Sequence, residues 1–170
     1  MSLDYRALFA VLLAAGRGRR LRPYTDHTPK PLLPVGGQPL LEHTLTAVAE
    51  VGIRRVCLVT HHLAEQIEQF VGDGRRWGLD ALFCRQSKLL GTAHALNEVV
   101  RRYPGLFKSG DSFLLTATDY IWSKNYVHDL VAAHAQNNVD ISISLKRMPC
   151  LLYTSPSPRD HLAHLVCSLM

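Results

Sequence analysis

No apolar stretch in this chain approaches the ~20 residues needed to cross a hydrocarbon layer, so no membrane association is expected. Nothing at the start resembles an export leader, because Asp4 and Arg6 precede an apolar run that breaks at Gly16. Cysteine is sparse: Cys57, Cys84, Cys150 and Cys167 show no metal-site spacing. Cys57 and Cys84 fall within apolar, strand-like runs and read as buried free thiols, with a reducing cytoplasm as the default compartment. No internal repeat occurs at any fixed period. The formal net charge is +5, but there is no continuous basic run. Arginine pairs such as Arg54-Arg55, Arg75-Arg76 and Arg101-Arg102 are scattered among acidic residues, which argues against a nucleic-acid partner. Only the cluster Arg17, Arg19, Arg20 and Arg22 needs a special explanation.

What is present is the composition of one folded α/β domain, 47% hydrophobic and 19% charged over 170 residues. Residues 8–14 form a short continuous apolar run, as in a parallel strand buried on both faces. Residues 15–39 carry no helical period and contain Pro23, Pro29, Pro31, Pro34 and Pro39, which predicts a long, stiff loop. Leu41, Leu45 and Val48 then mark a helix ended by Gly52, followed by a strand over Arg54–Thr60. Leu63, Ile67 and Phe70 line a second helix, and Leu79–Cys84 is a strand. Thr92–Arg102 reads as a helix and Ser112–Thr116 as a strand. Val127, Leu130, Val131 and His134 share a helical face, and Val139–Leu145 closes the series as a fifth strand. Alternation of this kind implies right-handed crossovers and a three-layer α/β/α sandwich around a mostly parallel, Rossmann-like sheet. The pattern fails after residue 146, where Pro149, Pro156 and Pro158 and a Ser/Pro cluster precede a short apolar tail; taken alone this stretch reads as a linker and a docking helix.

The first strand runs into Gly16-Arg17-Gly18-Arg19-Arg20. Glycines directly after a buried strand let the backbone curl around a ligand with N–H groups converging on anionic oxygens, at the strand end where open α/β sheets bind ligands. The cationic side chains suit a triphosphate. The motif is neither a P-loop, which ends Gly-Lys-Ser/Thr before a helix, nor a dinucleotide fingerprint, because prolines follow where a helix should begin.

The longer string LAAGRGRRLRPYTDHTPKPLLPV, residues 13–35, resembles the N-terminal signature of the sugar-phosphate nucleotidylyltransferases, which include glucose-1-phosphate thymidylyl- and uridylyltransferases. The matching points are Gly16, Gly18, Arg20, Leu21, Pro23, Thr25, Pro29-Lys30-Pro31 and Pro34-Val35. The resemblance implies an enzyme that joins a nucleoside triphosphate to a sugar-1-phosphate and releases pyrophosphate. It also implies a sheet of the nucleotide-diphospho-sugar transferase type. By the same resemblance Ala14, Ala15, Gly16 and Gly18 wrap the triphosphate, Arg20 contacts its outer phosphates, and Lys30 reaches the phosphates where bonds exchange, with Arg20 and Lys30 as the catalytic pair. Gln86, Gly91 and Thr92 match the base-reading element: a glutamine amide offers donor and acceptor to a pyrimidine edge, which favours UTP or dTTP. Thr92 also suits a helix cap. Asp119, just past the strand SFLLT, matches a carboxylate that binds Mg2+; the family usually has glycine before it, and Thr118 in that place implies some crowding. His94 could face the nucleotide, whereas His61 and His62 read as the beginning of a helix.

The resemblance covers residues 8–146. The family's sugar-binding half, acceptor-phosphate lysine and second metal carboxylate have no counterpart, so the chain reads as C-terminally truncated. Residues 1–146 are then the N-terminal nucleotide-binding part, and 147–170 a non-family tail in which CLLYTSPSPRD resembles translated sequencing-adapter read-through. Such a fragment is expected to bind nucleotide weakly and turn over little. An oligomer in a full-length protein is compatible with the resemblance. A non-catalytic nucleotide- or sugar-phosphate-sensing subunit is the other reading.

Overall fold

The first apolar run becomes the axis of the molecule because its two faces meet different cores. The computed structural model describes residues 8–108, 111–122, 125–137 and 139–145, together with the backbone of 162–168. Strand β1 (Phe9–Leu13) lies between β4 (Arg55–Thr60) and β6 (Ser112–Ala117), parallel to both, with Val11 opposite Cys57 and Leu115. Strand β5 (Asp80–Arg85) adds in parallel outside β4. On the other side, β8 (Leu162–Ser168) lies antiparallel between β6 and β7 (Ile141–Leu145), giving the order β5-β4-β1-β6-β8-β7.

Successive side chains of a strand point to opposite faces, and the sequence uses both. Leu8, Ala10 and Leu12 join one core with Leu41, Leu45 and Val48 of α1 (Leu40–Val51), Ile67 of α2 (Ala64–Val71), and Val127 and Val131 of α4 (Tyr126–Asn137). Phe9 and Val11 join the other with Val99 of α3 (Thr92–Arg102), Phe113 and Leu115. There Phe9 stacks on Phe113 with ring centroids 5.4 Å apart and meets the edge of Phe107 at 5.0 Å, the offset and edge geometries that aromatic quadrupoles favour. The fold is thus the three-layer α/β/α sandwich with a mostly parallel, Rossmann-like sheet.

Several local expectations hold in detail. Gly52 caps α1 in the left-handed region with φ 102°, its N–H bonded to the Ala49 carbonyl. Cys57 and Cys84 are buried free thiols, and burial pushes the Cys57 thiol up to about 12. Cys150 and the side chain of Cys167 lie outside the described residues. His134 is buried with Nδ1 2.9 Å from Ser142 Oγ, and burial holds its pKa below the ordinary histidine value.

Two expectations change. The proline-rich loop is not wholly irregular: Gly36 and Gly37, both at positive φ, turn β2 (Pro34–Val35) onto β3 (Gln38–Pro39) as a two-residue ribbon, the turn that needs left-handed residues. In the tail, the helix expected after the Ser/Pro cluster is a strand, β8, whose backbone fills the slot between β6 and β7. Residues 146–161, which include CLLYTSPSPRD, lie outside the described residues.

Helix α2 is fixed to β5 by charge. Arg85 donates from Nε and Nη2 to the two carboxylate oxygens of Glu68 at 2.8 Å each, and from Nη1 to Glu65 at 2.8 Å. The Arg85 hydrogen bonds hold the Glu68 carboxyl below its usual pKa against a smaller opposing effect of burial. A depressed folded-state pKa gives stability that is present above the unfolded carboxyl value and lost as pH falls through the folded one. Glu68→Gln should therefore lower stability at pH 7 by about 0.2–1 kcal/mol, the range for a partly exposed pair. The difference from wild type should vanish as pH is taken from about 4.3 downward; denaturant midpoints at several pH values measure it.

Candidate active site

The carboxyl ends of β1, β4, β5 and β6 open on one edge of the sheet, and the loops that follow them carry the site residues expected from the sequence except Thr92 and His94, which lie in the first turn of α3. After β1, Ala14 and Ala15 remain buried, and the Ala14 N–H donates to the Val59 carbonyl at 2.8 Å, so the loop leaves the sheet from a fixed point. The two glycines beyond differ in what they do. Gly18 sits at φ +60°, and a Cβ there would lie 2.8 Å from Thr25 Cγ2 and 3.3 Å from Lys30 Cβ. Gly16 has no such need: its φ is not left-handed, and an added Cβ would meet nothing within 4 Å. Its bare backbone faces open space. Arg20 stands on a short 3-10 turn (Arg19–Leu21), exposed and with no ion pair among the described residues.

The proline segment then folds back over Gly18. Thr25, almost wholly buried, donates from Oγ1 to the Gly18 carbonyl at 3.0 Å. Pro29 and Pro31 are buried on either side of Lys30, which begins a 3-10 turn (Lys30–Leu32) closed by Leu33 N–H to the Lys30 carbonyl. A lysine held between two buried prolines has its backbone direction set, and only its stem remains to be positioned. Its ammonium reaches the end of β6 and donates to Asp119 Oδ2 at 2.6 Å, joining residues 89 positions apart.

Thr118, expected to crowd this turn, fits without conflict. Its side chain is buried, and both its N–H (3.2 Å) and its Oγ1 (3.1 Å) donate to the Leu13 carbonyl. The hydroxyl thereby ties the end of β6 to the end of β1 and sets Asp119 beside the glycine loop. No group of three or more His, Cys, Asp or Glu side chains assembles among the described residues.

Gln86 follows β5 with its backbone fixed at both ends: its N–H donates to the Thr60 carbonyl at 2.8 Å, and its carbonyl accepts from His61 Nδ1 at 2.7 Å. The side chain is only 4% exposed as part of the residue, and its amide nitrogen lies 2.8 Å from His94 Nδ1. Gly91, at φ 97° and ψ 179°, occupies a region essentially reserved for glycine and is itself the N-cap of α3. No side chain caps that helix; Thr92 is its exposed first residue and not its cap.

The structure thus brings Lys30 to Asp119 and places the turn of Gly18 against Thr25. It also shows contacts that sequence reasoning missed. His61 and His62 precede α2 and are not in it; His62 Nε2 donates to the Thr25 carbonyl at 3.3 Å, and Gln66 Nε2 donates to the His27 carbonyl at 2.9 Å. A histidine pair at the carboxyl end of a buried strand was the available signal.

With this geometry in view, comparison with known proteins is decisive. The model of the nucleotidyl transferase family matches residues 9–151. The chain belongs to the nucleotidyl transferase family. The match begins at β1 and continues past β7, so it takes in both the glycine loop and Asp119. Among curated relatives, a glucose-1-phosphate thymidylyltransferase of Streptomyces antibioticus is 38% identical over 65% of this chain and 32% of its own. A mannose-1-phosphate guanylyltransferase of Mycobacterium tuberculosis is 33% identical over 82% of this chain and 37% of its own. The chain therefore spans about a third of the length of these relatives. A crystal structure of a Bacillus anthracis protein provisionally assigned as a glucose-1-phosphate thymidylyltransferase, in complex with a sucrose, covers 95% of this chain and 71% of its own. It superposes with a TM-score of 0.79 at 19% identity, which speaks for the fold alone.

Proposed function

We propose that this nucleotidyl transferase family member serves a reaction in which a nucleoside triphosphate, UTP or dTTP by preference, and a sugar-1-phosphate form a nucleotide sugar and pyrophosphate. The observation that carries the reading is the 2.6 Å contact between Lys30 and Asp119, with the turn of Gly18 packed close to Lys30 Cβ. It is a cation and an anion held at the edge of a sheet where open α/β folds take their ligands.

In this reading an oxygen of the sugar phosphate attacks the α-phosphorus as the bond to the β-phosphate oxygen breaks, and pyrophosphate leaves with that oxygen's electron pair. The attacking phosphate is already ionised, so no protein nucleophile or base is required. The backbone of residues 14–18 lies along the phosphates, Arg20 pairs with the outer ones, and Lys30 offsets charge that grows on the oxygens around the α-phosphorus. Gln86, Gly91 and Thr92 face the base, which the amide of Gln86 reads.

Asp119 fits Mg2+ by its chemistry: it is a hard oxygen donor, partly exposed, and its oxygen already holds a cation, the Lys30 ammonium. Such a carboxylate oxygen suits an Mg2+ that also takes phosphate oxygens of the substrate. When bound, the ion supplies charge neutralisation on the phosphates.

Titration calorimetry of the full-length protein with UTP, dTTP, CTP, GTP and ATP, each with Mg2+, tests the binding half of the proposal. Pyrophosphate release across a panel of sugar-1-phosphates, with and without Mg2+, tests the rest. Saturable heat with UTP or dTTP at lower concentration than with the others is expected. Absence of saturation with every triphosphate would end the proposal.

A further inference from the structure

We infer that His94 is a positioning residue that fixes which way the side-chain amide of Gln86 faces and so sets the choice between pyrimidine bases. The inference rests on the reading of Gln86 as the base-reading residue.

A primary amide can be reversed end for end with almost no change in shape, so its orientation is decided by its hydrogen-bond partners. The backbone of Gln86 cannot adjust, since Thr60 and His61 hold its N–H and its carbonyl. Among the described residues the amide has one protein partner, His94 Nδ1, at 2.8 Å from its nitrogen. The amide nitrogen donates, so Nδ1 accepts, and the neutral ring then carries its proton on Nε2. That nitrogen lies 3.9 Å from Glu98 Oε1, one turn further along α3. Of the two neutral tautomers, the carboxylate favours the one with its proton on Nε2, in which Nδ1 accepts. Glu98 thus supports the tautomer through which His94 sets the amide of Gln86.

The consequence is chemical. With one N–H committed to His94, the amide offers a fixed order of acceptor and donor. Uracil and thymine carry an N3–H donor beside the O4 acceptor, whereas cytosine carries an N3 acceptor beside an N4 amine donor. Reversing the amide exchanges its acceptor and donor positions and converts an edge suited to the first pair into one suited to cytosine. An amide with no anchor would present both. The 2.8 Å contact to His94 is what makes the site choose.

The test measures the ratio of CTP to UTP dissociation constants with Mg2+, using inorganic tripolyphosphate as a probe without a base and thermal melting as a control for folding. His94→Leu should reduce that ratio about tenfold, equivalent to about 1.4 kcal/mol of lost discrimination, while leaving tripolyphosphate binding unchanged. His94→Asn, which can place an acceptor oxygen near the position of Nδ1, should restore most of the ratio. If Gln86→Leu abolishes the ratio but His94→Leu leaves it intact, the role of His94 is overturned while Gln86 remains the reader. If Gln86→Leu leaves the ratio intact, Gln86 does not read the base and the inference fails with it. Equal weakening of UTP, CTP and tripolyphosphate in His94→Leu, without rescue by His94→Asn, shows a purely structural histidine and also overturns it.

Discussion

In a full-length version of the protein, Lys30→Ala is expected to slow nucleotidyl transfer by about 10²–10³-fold, the loss typical of removing one donor aimed at developing transition-state charge. The melting temperature should be nearly unchanged. Both halves of this expectation come from the same geometry. The backbone at Lys30 is held by buried Pro29 and Pro31 and by the turn that follows, so the path of this segment survives truncation of the side chain while the ammonium is lost. Its contact with Asp119 is partly exposed, with side-chain exposures of 29% and 38%, and a pair of that kind contributes about 0–1 kcal/mol to folding. Lys30→Arg should not restore the rate, because a planar fork cannot substitute for a compact point charge at this reach. Single-turnover pyrophosphate release beside thermal melts separates the two effects. A large drop in melting temperature for Lys30→Ala would make the lysine structural and remove it from the chemistry.

The second large effect concerns the two glycines after β1, which should respond in opposite ways. Gly18→Ala should destabilise the fold by about 1–3 kcal/mol. Its φ of +60° is costly for any residue with a Cβ, and that Cβ would sit 2.8 Å from Thr25 Cγ2. Thr25 has little freedom to yield: it is buried, its hydroxyl is bonded to the Gly18 carbonyl, and its own carbonyl accepts from His62. Lys30 Cβ at 3.3 Å would be displaced as well, so nucleotide binding should fall together with stability. Gly16→Ala should leave the denaturant midpoint within about 0.5 kcal/mol of wild type, since its Cβ enters open space. It should still weaken triphosphate binding if phosphates lie against that backbone. Unaltered UTP affinity in Gly16→Ala would show that no ligand approaches there.

Much of this arrangement could be read from the residues in order. The two-faced run of β1, the helical faces of α1 and α4, and Gly52 as a stop signal are all local patterns, and local patterns survive into the fold because core burial enforces them. The signature string, residues 13–35, points to Gly18 and Lys30, and the position just past the apolar strand SFLLT points to Asp119. What escaped notice was set by partners distant in sequence. β8 enters between β6 and β7 through backbone pairing between residues 17 to 26 positions apart on the β7 side, which no periodicity announces. The β2–β3 ribbon is two residues on each side, too short to show alternation. The fit of Thr118 depends on the Leu13 carbonyl, 105 positions away, so a sequence motif could register its departure from glycine but not its accommodation.

The two histidines at the mouth of β4 carry a mechanical implication. Adjacent in the chain, His61 holds the backbone of Gln86 and His62 holds that of Thr25. One dipeptide therefore acts as a caliper whose jaws are the loop after β5 and the loop over Gly18. The two loops are thus tied to each other through one dipeptide of the protein itself, so their spacing is set from within the fold before any ligand arrives.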